Sequence, residues 1–425
     1  MKNKKGFISM TLVYTFLIVF LFLMLAILRT YNEKDKFLEA INSQIDTDIS
    51  EHAKIRSGFV SKLLSDNTPT SDDGLRFFTI ANSTFGNGNG LFYTDNPDKT
   101  DENQDGETSR IYFFRGDVET NHLIFANFCW RIIRTNEDGS IRIRYNGKVL
   151  KGNKCPTLDS VYNNFTSISI ASSQYQTSST LRSDVSFIDN EGNPNLDIGD
   201  VTKESEVKKV LDNWYFQNLV QNQPEIEGLE NVRWSDYVSQ RAIYCNDRST
   251  FKLIDGIEYY GSVGIVPRFI DQDNLDVYNR NNIENTVTFA CPGDNEEDMF
   301  DVNGSGNNLL IYPIGLLTAQ DIVYAGGYMT YEHDMYNGGS NHNAIKNTKF
   351  YLSTGSSFWT MSPFSINAGN ENGAKVVYVD EHGTMRGGSV TESHAVIPVI
   401  SLKSSTLIAS GKGTSNNPYM IDYYN

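Results

Sequence analysis

The residues with chemical potential are few and scattered. Asp101, Asn103 and Asp105 place oxygen ligands at the first, third and fifth positions of an acidic run, and Gly106 follows where a calcium loop turns sharply. An EF-hand would carry glutamate at the twelfth position, where this chain has Tyr112. A solvated acidic turn therefore competes with calcium, which is the only cofactor the sequence offers. Arg115-Gly116-Asp117 matches the tripeptide that integrins read, at a strand end where glycine has an ordinary turning role. His333 and His342 lie near Glu332 and Asp334, and His382 and His394 near Glu381 and Glu392, without the one-turn spacing of a zinc helix. The chain has no Gly-x-Ser-x-Gly elbow and no phosphate-binding glycine loop, and its order yields no Ser/His/Asp set. Tyr328, Tyr331, Tyr336 and Phe364 could stack on sugars or simply pack.

Cysteine is the stronger signal. Cys129, Cys155, Cys245 and Cys291 form neither a CxxC nor a metal pattern. An even count in a segment expected outside the cell reads as two disulfides. Three connectivities are open. The sequential pairs Cys129–Cys155 and Cys245–Cys291 are favoured because each closes one local loop. A net charge of −16 repels phosphate backbones and argues against nucleic acid as a partner. With 24 Phe, 23 Tyr and 4 Trp, the chain has enough bulk for a sizeable core.

These residues need elements to position them. Phe7 to Leu28 is free of charge, proline and glycine. At about 22 residues it is long enough to span a bilayer as one helix. Lys2, Lys4 and Lys5 precede it, so the N-terminus is expected in the cytoplasm and the remainder outside, in a single-pass membrane protein. From Tyr31 to Leu64, Phe37, Ile41, Ile45 and Ile49 recur every four residues, which predicts an amphipathic stalk helix. The expected organisation is a basic leader over 1–6, a transmembrane helix over 7–28, a stalk over 29–64, a linker with acidic loops over 65–110, and an extracellular domain over 111–425.

Within that domain, Phe128 to Arg134 and Ser140 to Tyr145 flank an Asp138-Gly139 turn and predict a hairpin. Ile141, Ile143 and Tyr145 face one way, and Arg142 and Arg144 the other. Helices are expected over 205–220, near 234–242, and over 319–325 behind a Thr318 cap. Strands close the chain at 357–363, 374–380, 384–386 and 395–402, with Glu381-His382-Gly383 as a hairpin turn and Pro398 interrupting the last strand.

Two resemblances add to this reading. Lys4-Lys5-Gly6-Phe7 before the apolar run resembles the N-terminus of type IV pilins and pseudopilins. That implies cutting after Gly6 by a prepilin peptidase, a new N-terminus at Phe7, and other pilin-like subunits as partners. The family's glutamate at the fifth mature position is Thr11 here. Further on, WRIIRTNEDGSIRIRYNG, YPIGLLTAQDIVYAGG, FWTMSP and VIPVISLK resemble an uncharacterised family of bacterial cell-surface domains, similar in turn to the C-type-lectin-like fold of formylglycine-generating enzymes. The implied fold class is α+β: a long N-terminal helix, then a mixed, loop-rich C-type-lectin-like ectodomain with small twisted antiparallel sheets. The implied function is adhesion or ligand binding by a membrane-anchored surface protein, with a surface glycan or protein as ligand and no catalysis. The alternatives are a structural subunit of a pilus or pseudopilus filament, and an extracellular enzyme of unknown reaction.

Overall fold

The computed structural model describes residues 58–72, 89–95, 110–157, 168–188, 204–224, 232–248, 250–254, 256–260, 289, 291, 299–302, 310–329, 350–370, 373–381 and 383–423. In chain order they form α1 (Gly58–Asp66), β1 (Thr70–Ser71), β2 (Gly90–Asp95), β3 (Arg110–Arg115), β4 (His122–Phe125), β5 (Phe128–Thr135), β6 (Ile141–Lys148) and β7 (Ala171–Gln174). Then come α2 (Glu206–Tyr215), β8 (Tyr244–Cys245), β9 (Thr250–Ile254), β10 (Ile257–Tyr260), β11 (Met299–Phe300), α3 (Ala319–Tyr324) and β12 (Tyr328–Met329). The chain closes with β13 (Phe358–Ile366), β14 (Ala374–Val379), β15 (Thr384–Ser389), β16 (Ser393–Val396), β17 (Val399–Leu402), β18 (Leu407–Ser410) and β19 (Tyr419–Asp422).

The expected α+β class led by a long helix is corrected. The described residues are mostly β-sheet, 41% strand against 16% helix. Among them no helix is long and apolar enough to cross a membrane, against the expected single-pass anchoring. The apolar run 7–28 itself lies outside the described residues. Of the expected stalk, the described part is α1, which buries Phe59 and Leu63. The expected helix near 234–242 is a single 3-10 turn, Trp234–Tyr237.

Most strands join one of two sheets. The first runs β1-β2-β3-β5-β4-β19-β18, with β6 and then β17 branching from β5. The second runs β12-β15-β14-β13-β10-β9, with β16 on β13 and β7 on β16. β2 comes from the stretch read as linker, yet it pairs along its length with β3. The β5–β6 hairpin turns where expected: Gly139 takes φ +79°, and the Asp138 carboxylate accepts the Ser140 N–H at 2.9 Å. Pro398 does not interrupt a strand. It sits between β16 in the second sheet and β17 in the first, where the chain changes sheets and a missing N–H costs no ladder bond.

β5 and β6 are covered on both faces. On one face Trp130, Tyr145 and Phe128 meet Trp214 of α2, with ring centroids 5.4–6.1 Å apart. α2 begins at Ser205, whose hydroxyl accepts the Lys208 N–H. On the other face lie Arg131, Arg134, Arg142 and Arg144, all buried. Alternation alone turns Arg142 and Arg144 towards water; in the fold, α3 and the segment around Tyr351 cover them. Asp321 of α3 accepts Arg134 Nε at 3.1 Å and stands 3.4 Å from Arg142 Nη1. The same carboxylate closes a capping box with Thr318.

Candidate functional site

Several expected sites cannot be placed. Gly6, Phe7, Asp101, Asn103, Asp105, Tyr331, Tyr336, His333, His342 and His382 lie outside the described residues. Among the described residues, no group of three or more His, Cys, Asp or Glu is arranged to hold a metal. The cysteines pair as Cys129–Cys155 and Cys245–Cys291, the sequential connectivity.

The Arg-Gly-Asp tripeptide cannot present itself as a recognition loop. Arg115 is fully buried, donates to Asp72 Oδ1 at 3.0 Å and to the Tyr324 carbonyl at 3.1 Å, and covers Phe92. Phe364 is half-buried; it packs against Gly387, where a Cβ would come within 2.4 Å of its ring.

The structure instead assembles a cluster that the chain order hides. β13 and β16 run parallel, with Phe358 opposite Ala395. That register brings Ser357, just before β13, beside His394 on β16, 37 residues away in sequence. Ser357 Oγ and His394 Nδ1 share a hydrogen bond at 2.6 Å, its direction set by the imidazole tautomer. His394 Nε2 faces Glu392 Oε2 at 3.4 Å, too poorly aligned to count as a hydrogen bond. The ring lies flat on Tyr378 of β14, with centroids 4.2 Å apart and planes at 10°, and edge-on to Trp359 at 4.4 Å.

Local sequence explains the seating. Tyr378 lies over Gly388, whose absent Cβ would fall 2.7 Å from its Cδ1. Trp359 is buried, and its indole N–H donates to the Ser173 carbonyl at 2.9 Å. The rim is polar: Glu392 is 56% exposed, and Arg386 Nε donates to Asp380 at 2.7 Å.

Burial holds the His394 pKa below its ordinary value of 6.5, and the Glu392 charge opposes the shift without cancelling it. The imidazole is therefore neutral at neutral pH. Burial likewise raises the Tyr378 phenol above its usual value, with Arg386 opposing, so the hydroxyl stays a donor. The cluster offers a neutral imidazole, two hydroxyls, an exposed carboxylate and an aromatic stack. With Nε2 protonated towards Glu392, Nδ1 could accept the Ser357 proton, the order of groups in a serine–histidine–acid relay.

A second perturbed cluster sits at the start of α2. Lys208 is fully buried and paired with Asp212, whose carboxyl burial pushes up to about 6. Its position beneath the Phe187 ring makes it part of the packing.

The Glu392-x-His394 pair was visible in the sequence, but nothing there linked it to Ser357 or Tyr378. No family model, curated protein or solved structure matches the chain.

Proposed function

We propose that this chain is a binding protein, acting in adhesion or ligand capture, whose recognition surface is the Ser357–Tyr378–Glu392–His394 cluster. The chemistry suits a hydroxylated ligand such as a surface glycan: the exposed Glu392 carboxylate accepts hydroxyl protons, and half-buried rings supply apolar contact. The observation that carries this reading is the flat Tyr378–His394 stack flanked by the Ser357 hydroxyl and the exposed Glu392 carboxylate. The two disulfides support an oxidising environment for the folded chain. A glycan array probed with the full disulfide-bonded chain tests it. Capture that falls at least tenfold in both Glu392→Gln and Tyr378→Ala supports the reading. Capture unchanged by both, or none on broad panels, refutes it.

The 2.6 Å Ser357–His394 bond favours one second reading, hydrolysis through a Ser357 nucleophile. A fluorophosphonate probe decides: labelling that disappears in Ser357→Ala supports a hydrolase, and no labelling removes it. Filament subunit function rests on Lys5-Gly6-Phe7 alone. A mature mass beginning at Phe7 upon co-expression of a prepilin peptidase is its test, and a mass beginning at Met1 refutes it.

A further inference from the structure

The buried arginines are unequally matched. Arg115 has Asp72, and Arg134 and Arg142 have Asp321. Among the described residues Arg131 and Arg144 form no ion pair with a carboxylate; Glu119 and Asp117 act on Arg131 only through their charge. The two arginines stand directly opposite each other across β5 and β6, both effectively inaccessible. Arg131 donates to the Val118 carbonyl and contacts His122. Arg144 donates Nη1 to the Leu352 carbonyl at 2.7 Å. Among the described residues its Nε and Nη2, the fork edge of the guanidinium, have no hydrogen-bond partner; nor do Arg131 Nε and the Tyr351 hydroxyl. Tyr351 is close to both arginines: its ring centroid lies 5.3 Å from the Arg131 guanidinium carbon, and its hydroxyl feels the charges of both.

Two like charges held together in a low-dielectric interior repel, and unmade hydrogen bonds from a buried guanidinium are costly. Neutralisation does not relieve them. Burial lowers Arg144 only to about 9 and Arg131 only to about 10, so both stay charged at neutral pH. His122, in contact with Arg131, is held neutral mainly by burial, at about 4. A fork edge is shaped to grip one anion by two parallel N–H bonds.

We propose that the Arg144 fork edge, Arg131 Nε and the Tyr351 hydroxyl together bind a small monovalent anion, of halide or formate size, as a structural ligand inside the first sheet. It neutralises one of the two charges and completes the bonds left open on Arg144. The site is separate from the proposed recognition surface and stands whether or not that reading holds.

The test is thermal unfolding of the full chain at constant ionic strength, exchanging gluconate stepwise for chloride, bromide or formate. The expected result is a midpoint that rises with the logarithm of the small-anion concentration. Arg144→Met should abolish that slope. Should this variant not fold, Tyr351→Phe, which removes one donor and keeps the ring, should weaken apparent anion affinity several-fold. Bromide soaked into crystals should give an anomalous peak at the Arg144 fork. A midpoint indifferent to anion identity, an equal slope in both variants, or a slope seen only with phosphate and sulfate would each overturn the proposal, the last by marking surface binding.

Discussion

The perturbation that reaches furthest into this fold is Asp321→Asn. The Asp321 carboxylate is fully buried and has three donors: Arg134 Nε at 3.1 Å, Arg142 Nη1 at 3.4 Å and the Thr318 N–H at 3.1 Å. Asparagine keeps an oxygen for the Thr318 N–H, so most of the cap survives. The charge does not. Arg134 retains Glu137 at 3.2 Å, but Arg142 keeps no carboxylate among the described residues, just the Ile243 carbonyl and the Tyr244 ring. Breaking a buried pair by removing one partner costs roughly 3–5 kcal/mol. Asp321→Ala adds the lost cap, about 1 kcal/mol. Both are large against a total stability on the order of 5–15 kcal/mol. The assay is urea unfolding followed by tryptophan fluorescence with disulfides intact. The cost also carries a pH signature. Burial works to raise the Asp321 pKa, but Arg142 and Arg134 outweigh it and hold it below the ordinary 3.8. A depressed carboxylate contributes stability above its unfolded pKa and loses it as pH falls through the folded one. The gap between wild type and Asp321→Asn should thus be full at pH 7 and shrink below about pH 4. The double variant Arg142→Met/Asp321→Leu should cost less than the sum of its parts. A loss under about 1 kcal/mol at pH 7, or full additivity in the double variant, would refute the account.

Three further outcomes follow from other sites. Gly388→Ala drives a methyl to within 2.7 Å of the Tyr378 ring, so it should cost about 1–3 kcal/mol and weaken ligand capture, checked by unfolding and array binding together. Opening the Cys129–Cys155 loop, with a sequence separation of 26, by the paired serine variant should cost about 2–5 kcal/mol, read as a lower urea midpoint. Asp212 is raised to about 6, mainly by burial, so the folded chain binds the extra proton and stability falls as pH rises from about 4 to about 6; that slope should flatten in Asp212→Asn.

The parts of the fold legible in the sequence are those set by near neighbours. Asp138-Gly139 between alternating strands gives the β5–β6 hairpin, and Thr318 before an apolar stretch gives the α3 cap. The parts that escaped depend on distant partners. Arg142 and Arg144 alternate with isoleucines and so look like a wet face. What buries them is Asp321, 179 residues on from Arg142, and the Leu352 carbonyl, 208 residues on from Arg144. The β-strand content was underestimated for a related reason. Strands such as β2 and β7 are short and only half-patterned, and long-range pairing rather than local propensity makes them strands. The Ser357–His394 cluster is likewise created by a parallel register, which leaves no local trace.

The buried arginines also bear on the proposed recognition surface. Arg115 donates to the Tyr324 carbonyl, Arg131 to Val118, Arg142 to Ile243 and Arg144 to Leu352. Three of these carbonyls lie in irregular backbone and the fourth at the C-terminal end of α3. A loop-rich chain must satisfy such groups when it buries them. Guanidinium, with several fixed donors, can bond a carbonyl and still meet an anion or a ring; lysine cannot replace it without leaving one of these unmade. Arg144 is linked to the surface cluster through Phe358. Its guanidinium carbon lies 5.8 Å from the Phe358 ring, and Phe358 adjoins Ser357 in sequence and pairs with the residue after His394. A side chain seated there fixes the strand that aims Ser357. Arg144→Lys should therefore weaken ligand capture several-fold at a temperature where the variant is still folded. Its far-UV circular dichroism should be unchanged, and restoring the guanidinium at this position should restore capture. Equal capture by the lysine variant would mean that the sheet beneath Ser357 holds its geometry without the arginine.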